Sequence, residues 1–239
     1  MLYAVLGDIH GNKHALDAVL EEVEAAGADE VVCTGDIVGY GAYPAECVRT
    51  MQSLDSLVVA GNHDWATLGK IGIDYFNADA RDSILWTRRH LGDRELEFLA
   101  GLPLVATVEN ATLVHSTLFS PEYFDYMQTL YDVRLSFDRL DNRVCFCGHS
   151  HVPGMFLDTQ PVECFLQPDL ELGEEKAIIN VGSVGQPRDL DPKAAYVLYD
   201  SAEGVVHYRR VEYDVSAASE AIEKAGLPAT NAARIKLGR

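Results

Sequence analysis

Five apolar stretches in this chain each run directly into a short polar cluster, and that recurrence limits what the chain can fold into. The first, Leu2 to Leu6, leads into Gly7-Asp8-Ile9-His10. The later ones lead into Gly35-Asp36, Gly61-Asn62-His63-Asp64, His115, and Gly148-His149-Ser150-His151. Side chains on a strand alternate faces, so Asp8 and His10 are expected to point the same way from a strand's end. A carboxylate beside an imidazole suits a borderline divalent cation. Five of the eight histidines fall at these places, and most of them stand near a glycine. One such histidine is a weak sign; five in order, each after an apolar run, point to a shared site.

The pattern between the clusters places them. Leu2 to Leu6, Glu30 to Thr34 and Leu57 to Ala60 read as strands. They are separated by a helix over Asn12 to Ala26, with Leu16, Val19, Leu20 and Val23 on one face, and by a shorter helix near Pro44 to Met51. Strand, helix, strand, helix, strand implies right-handed parallel crossovers, with sites beyond the carboxyl ends of the strands. Residues 65–101 read as mostly helical. Leu104 to Val108 and Thr112 to His115 read as a hairpin. Met127, Leu130, Val133, Phe137 and Leu140 mark another helix, and Arg143 to Cys147 another strand. The remainder is β-rich, at 154–158, 162–166, 177–181, 195–200 and 204–210, followed by a helix over Ser216 to Ala225. The expectation is one domain over residues 1–239, with a loosely packed tail from about residue 226, where Gly226 and Pro228 break the pattern.

Length suits this reading, since 239 residues are ample for a sizeable core. The net charge of −18 opposes binding to a nucleic-acid polymer, which needs a basic footprint. It does not oppose small anionic substrates if divalent cations are bound. No apolar run reaches the 18 residues a membrane helix needs, and the opening run is too short for a signal sequence. An odd count of cysteines, five, argues against a disulfide framework and for a reducing cytoplasm. Cys145 and Cys147 flank Phe146 and are read as strand packing rather than soft-metal ligands. His14 is read as an exposed helix histidine.

The donors collected at the strand ends are three Asp or Asn oxygens and four imidazoles, with no thiolate. That set disfavours a structural zinc site and fits two divalent ions, manganese first, then iron or zinc. Two-metal sites act on phosphate esters, with ions about 3.5–4 Å apart that share a carboxylate and hold a hydroxide for in-line attack.

The ordered blocks GDIH, GDIVGYG, GNHD, VHS and GHSH resemble the calcineurin-like metallophosphoesterase superfamily, over residues 1 to about 200. They are similar in particular to small prokaryotic phosphoesterases related to diadenosine tetraphosphatase. The segment Asn180 to Asp189 adds to that likeness. The resemblance implies an α/β fold of two facing mixed β-sheets flanked by helices. It implies that Asp8, His10 and His151 bind one metal, that Asn62, His115 and His149 bind the second, and that Asp36 bridges them. It also implies a catalytic pair: His63 over the substrate phosphate, protonating the leaving oxygen, and Asp64 orienting His63. Asp64 also reads as a helix N-terminal cap before Trp65, a role compatible with the first. Arg188 is a candidate substrate contact, since a guanidinium suits phosphate; a surface salt bridge to Asp189 or Asp191 is the alternative. Phe119, Tyr123, Phe124 and Tyr126 suit either stacking on a nucleobase or packing. Gly7, Gly35, Gly61 and Gly148 suit sharp turns into the ligand loops.

Departures narrow the function. Protein serine/threonine phosphatases carry arginines where this chain has Ile37 and Ala60, and the usual glycine after the fourth-block histidine is Ser116. The resulting expectation is a dinuclear phosphohydrolase for small, nucleotide-like phosphoesters or phosphoanhydrides, diadenosine polyphosphates foremost. The alternative is a broad phosphodiesterase for cyclic nucleotides or other diesters. A non-catalytic scaffold, as in a retromer subunit of this fold, requires lost ligands, and none is missing here.

Overall fold

A computed structural model describes residues 1–166 and 169–239. The chain opens with β1 (Leu2–Leu6), α1 (Lys13–Ala26), β2 (Glu30–Cys33), α2 (Pro44–Ser53) and β3 (Leu57–Val58). As the crossover pattern predicts, β1, β2 and β3 are parallel. The third strand is only two residues long, because the chain peels away after Val58: Val59 N–H still bonds Cys33 O, but Ala60 N–H turns to Pro103 O.

Three helices follow, α3 (Asn62–Leu68), α4 (Ala78–Arg88) and α5 (Asp93–Ala100), and then the hairpin β4 (Val105–Val108) and β5 (Ala111–Val114). A helix α6 (Leu130–Phe137), shorter than its apolar spacing suggests, leads to β6 (Val144–Cys147). The β-rich part comprises β7 (Gly154–Leu157), β8 (Glu163–Phe165), β9 (Asp169–Glu171), β10 (Ala177–Asn180), β11 (Ala194–Asp200) and β12 (Val205–Val211). The strand β9 has no signal in the sequence. Its Asp-Leu-Glu is polar, and it exists by pairing with the edge of β12.

Two mixed six-stranded sheets result, in the orders β3-β2-β1-β11-β12-β9 and β4-β5-β6-β10-β7-β8. Strand alternation explains how they pack. Tyr3 and Val5 of β1, Val32 of β2, Phe146 of β6, Ile179 of β10 and Val197 of β11 meet between the sheets. Ala4 and Leu6 point the other way, onto α1 and α2. Cys145 and Cys147 likewise turn outward and pack with Val133 and Phe137 of α6, so the Cys-Phe-Cys stretch is packing, as expected.

The chain ends in two helices, α7 (Val215–Lys224) and α8 (Ala229–Leu237), and here the structure corrects the expected loose tail. Leu227, Ala232 and Ile235 are buried against Ala218 and Ile222 of α7, with Trp86 packed alongside. Trp86 Nε1–H bonds Ala225 O, and Asn231 donates to Ser83 Oγ. Gly226 and Pro228 end one helix and introduce the next, and proline is tolerated at a helix's start. His14, expected to be exposed, is half-buried with its ring edge-on to Tyr43. Ile235→Ala is expected to cost about 2–5 kcal/mol in urea unfolding. A loose tail would lose under about 0.5 kcal/mol.

Candidate metal centre and cleft

The carboxyl ends of β1, β2, β3, β5 and β6 come together where the two sheets meet. Backbone bonds join the loops: Asp8 N–H to Gly35 O, His10 N–H to Asp36 O, and Gly148 N–H to His115 O. The predicted ligands all converge here, and all are buried. Asp8 and His10 do not share a direction through strand alternation, however. β1 ends at Leu6, and both residues lie in the loop with left-handed φ of 51°. Asp36 (54°), His149 (68°) and His151 (60°) take the same conformation. Non-glycine residues rarely do so, and clusters of them mark functional sites.

Three imidazoles are fixed by backbone carbonyls. His10 Nδ1–H donates to Val38 O (3.0 Å), His115 Nδ1–H to Thr34 O (2.8 Å) and His151 Nδ1–H to Gln186 O (2.6 Å). A carbonyl only accepts, so each ring in its neutral form turns the lone pair of Nε2 inward. His10 Nε2 then faces His151 Nε2 at 3.1 Å, and His115 Nε2 faces His149 Nδ1 at 3.2 Å. His151 Nε2 lies 3.3 Å from Asp8 Oδ1, and Asn62 Oδ1 lies 3.1 Å from His115 Nε2. Asp36 Oδ2 stands between the two halves, 3.6 Å from His10 Nε2 and 3.3 Å from His115 Nε2. Ring nitrogens and carboxylates gathered this closely in a buried space favour positive charge among them. The donor set therefore fits divalent cations. Three groups bring their ligand atoms within 4.8 Å of one another: Asp8, His10 and His151; His10, Asp36 and His63; and Asp36, His115 and His149.

Titration follows the same geometry. Burial pushes the Asp8 carboxyl up to about 7, against the pull of His115. Burial alone would lower His115, but the adjacent Asp36 outweighs it and lifts the ring to about 9. Burial holds His10, His149 and His151 well below the usual imidazole range. It also takes His63 down to about 4.

Asp64 does not orient His63, which corrects the expected catalytic pair. Its carboxylate accepts backbone N–H bonds from Asp36 (2.9 Å), Ile37 (3.1 Å), Val38 (3.3 Å) and Gly61 (3.0 Å). It thus caps the start of α3 and ties the Asp36 loop to it. His63 N–H in turn bonds Asp36 Oδ1 at 2.8 Å, and the His63 ring packs between Tyr40 and Phe76, at 4.6 and 5.3 Å. Of the expected turn glycines, Gly35 does take a positive φ, 101°, whereas Gly61 and Gly148 serve close approach. A Cβ on Gly61 would sit 2.0 Å from Asp36 Oδ1, and one on Gly148 would sit 2.4 Å from Asp8 Oδ2.

The Asn180-to-Asp189 segment supports these loops from behind, a role the sequence did not reveal for Asn180 and Gln186. Asn180 donates to Gly148 O, Ser183 Oγ–H to Asp8 O, and Gln186 O accepts from His151. Arg188 forms no salt bridge to Asp189 or Asp191; Asp189 pairs with Arg210 instead. Its guanidinium donates to Gln186 Oε1 and stands 5.7 Å from the Tyr40 ring, close enough for its charge to act on Asp8 and His10.

A cleft of about 950 Å³ opens onto His63, Asn62 and His149. Tyr123, Phe124 and Tyr126 line it, with Tyr126 stacked on His149 at 3.9 Å. The opposite wall holds Tyr75, Phe76 and Asn77, which sequence reasoning missed within an assumed helical stretch. Gly69 and Gly72 were the signal that the helix stops there. The lining includes Glu122, Asp125 and Asp132 and, among the described residues, no Lys or Arg.

This fold and donor set define a metal-dependent phosphoesterase. The chain belongs to the calcineurin-like phosphoesterase superfamily, whose model matches residues 1–204. It is 40% identical to an uncharacterised protein of Methanocaldococcus jannaschii, with 100% of this chain and 98% of the relative aligned. A solved metallophosphoesterase from Sphaerobacter thermophilus is 34% identical with a TM-score of 0.89, covering 100% of this chain and 99% of that one. A symmetrical bis(5'-nucleosyl)-tetraphosphatase of Erwinia tasmaniensis is 33% identical over 100 residues, 36% of each protein. Among the described residues, no helix is long and apolar enough to cross a membrane.

Asp64→Ala is expected to lower stability by at least about 3 kcal/mol, since unpaired buried N–H groups cost about 1–3 kcal/mol each. Asp64→Asn keeps one accepting oxygen and should lose less. Chemical denaturation of both variants checks this; a residue that only oriented His63 would lose turnover and leave stability unchanged.

Proposed function

We propose that the chain hydrolyses small nucleotide-like phosphoesters or phosphoanhydrides at a dinuclear centre. In this reading Asp8, His10 and His151 hold one divalent ion, Asn62, His115 and His149 hold the other, and Asp36 serves both. Manganese is the first candidate, then iron or zinc. The observation that carries the reading is the single Asp36 oxygen within 3.6 Å of both histidine groups. Divalent ions supply Lewis-acid charge at the phosphoryl group and acidify a water.

The chain's own residues do the rest. His63 sits at the cleft floor with Nδ1 buried and unpartnered, which leaves Nε2 to meet substrate. Burial favours the neutral ring, and an arriving phosphate favours the charged one, so the proton for the leaving oxygen is taken up with substrate. Arg188 offers a guanidinium free of any carboxylate to a phosphate oxygen.

Diadenosine polyphosphates come first as substrates, supported by the tetraphosphatase relative and by a cleft with aromatic walls. A second reading, a broad phosphodiesterase, is favoured by the absence of Lys and Arg from the cleft's described lining. The free state of all five cysteines supports a cytoplasmic protein.

Incubating manganese-loaded protein with diadenosine tetraphosphate tests the first reading. Two ADP, or ATP with AMP, would support it; no turnover, with aryl diesters still cleaved, would move the substrate to diesters. Metal titration that detected no binding would sink both readings and leave a scaffold. His63→Ala should lower kcat by about 10²–10⁴ with metal content unchanged.

Loading should also release protons. Asp8, held at about 7, and His115, held at about 9, must give theirs up to bind a cation. Apparent metal affinity is therefore expected to rise from pH 6 to pH 9. Calorimetry in two buffers of different ionisation enthalpy should read the release directly.

A further inference from the structure

A second, smaller opening adjoins the same centre. Its volume is about 300 Å³, and Met127, Val152 and Phe156 give it apolar walls, with Ser150 and Asn180 among its polar groups. It shares three residues with the large cleft: Asp125, Tyr126 and His149. Tyr126, whose ring stacks 3.9 Å from His149 at an interplanar angle of 26°, stands on the boundary of both openings.

His149 itself carries a second observation. Its Nδ1 faces His115 at 3.2 Å, so Nε2 lies on the other side of the ring, where it is buried and has no partner. Buried ring nitrogens are seldom left unpaired without a ligand or water to meet them. Neither opening has Lys or Arg among its described lining residues, and Asp125 stands in both. Each opening thus suits the uncharged organic end of an arm, while any further phosphate of a polyphosphate would have to lie at the centre itself rather than in either opening. Both volumes fall in the range of about 300–1,000 Å³ usual for ligand pockets.

We propose that the smaller opening is a second-arm subsite. It holds the uncharged, partly apolar organic group on the far side of the scissile phosphate, while the large cleft holds the first arm. Tyr126 separates the arms and fixes the His149 ring. The inference rests on the reading that the phosphate binds at the histidine cluster. It deepens that reading, because a site with two arms favours esters with two organic groups over monoesters.

Cys164 gives a direct test. It lines the smaller opening and is exposed, whereas the other four cysteines are buried. Metal-loaded protein is alkylated at Cys164 with N-ethylmaleimide, and Cys164→Trp fills the same space without chemistry. The substrates are bis(p-nitrophenyl) phosphate and p-nitrophenyl phosphate. Both forms of blockage should lower kcat/KM for the diester at least tenfold, mainly through KM, and leave the monoester within twofold. Cys164→Ser should show the same activities with and without the reagent. An equal fall for both substrates, or no fall for either, would overturn the subsite. If the unblocked protein cleaves neither ester, the hydrolase reading fails separately. The diester then serves as a ligand: slower alkylation of Cys164 in its presence supports the subsite, and an unchanged rate overturns it.

Discussion

The structure turns on one unfavourable contact that the fold enforces. Two carboxylates and four imidazoles are buried together, with ring nitrogens facing one another at 3.1 and 3.2 Å. Burial penalises charge on Asp8 and on the imidazoles alike, so the protein by itself settles the cluster only by redistributing protons. A divalent cation would resolve the conflict, because these nitrogens and carboxylate oxygens are the donors it would take. Metal-ligand chemistry is thereby written into the folded chain as a deficit of positive charge.

Holding such a cluster requires backbone that does not relax. Asp8, His10, Asp36, His149 and His151 all sit in left-handed conformations. The surroundings over-determine them. Asp64 gathers four backbone N–H groups around the Asp36 loop. Ser183 and Gln186 take up groups of the Asp8 and His151 loops. Gly61 and Gly148 let the loops approach the carboxylates more closely than any side chain permits. Strain at the centre is sustained by hydrogen bonds one layer further out.

The acidity of the molecule fits this arrangement. A chain of net charge −18 draws phosphate only where cations invert the field. The cleft walls are aromatic and acidic, so they offer an anion no protein cation of their own among the described lining residues. The smaller opening likewise has no Lys or Arg among its described lining residues.

The convergence of the candidate donor set was legible in the sequence because each member follows an apolar strand. Parallel β–α units deliver such places to one edge, and the order of strands is encoded locally by hydrophobic period. Other features came only from tertiary structure. The tail from residue 226 packs as α8 because Trp86, Ala218 and Ile222, distant in sequence, supply its partners. Asp64 could have capped a helix or oriented His63, and the position of the Asp36 loop decided for the cap. Tyr75 and Phe76 reach the cleft through a break between α3 and α4 that no period marks. The sequence by itself determined which donor atoms gather at the strand ends, since identity and strand order carry that information. Which walls face the substrate was left to the tertiary structure, because those walls are loops placed by packing against elements far along the chain.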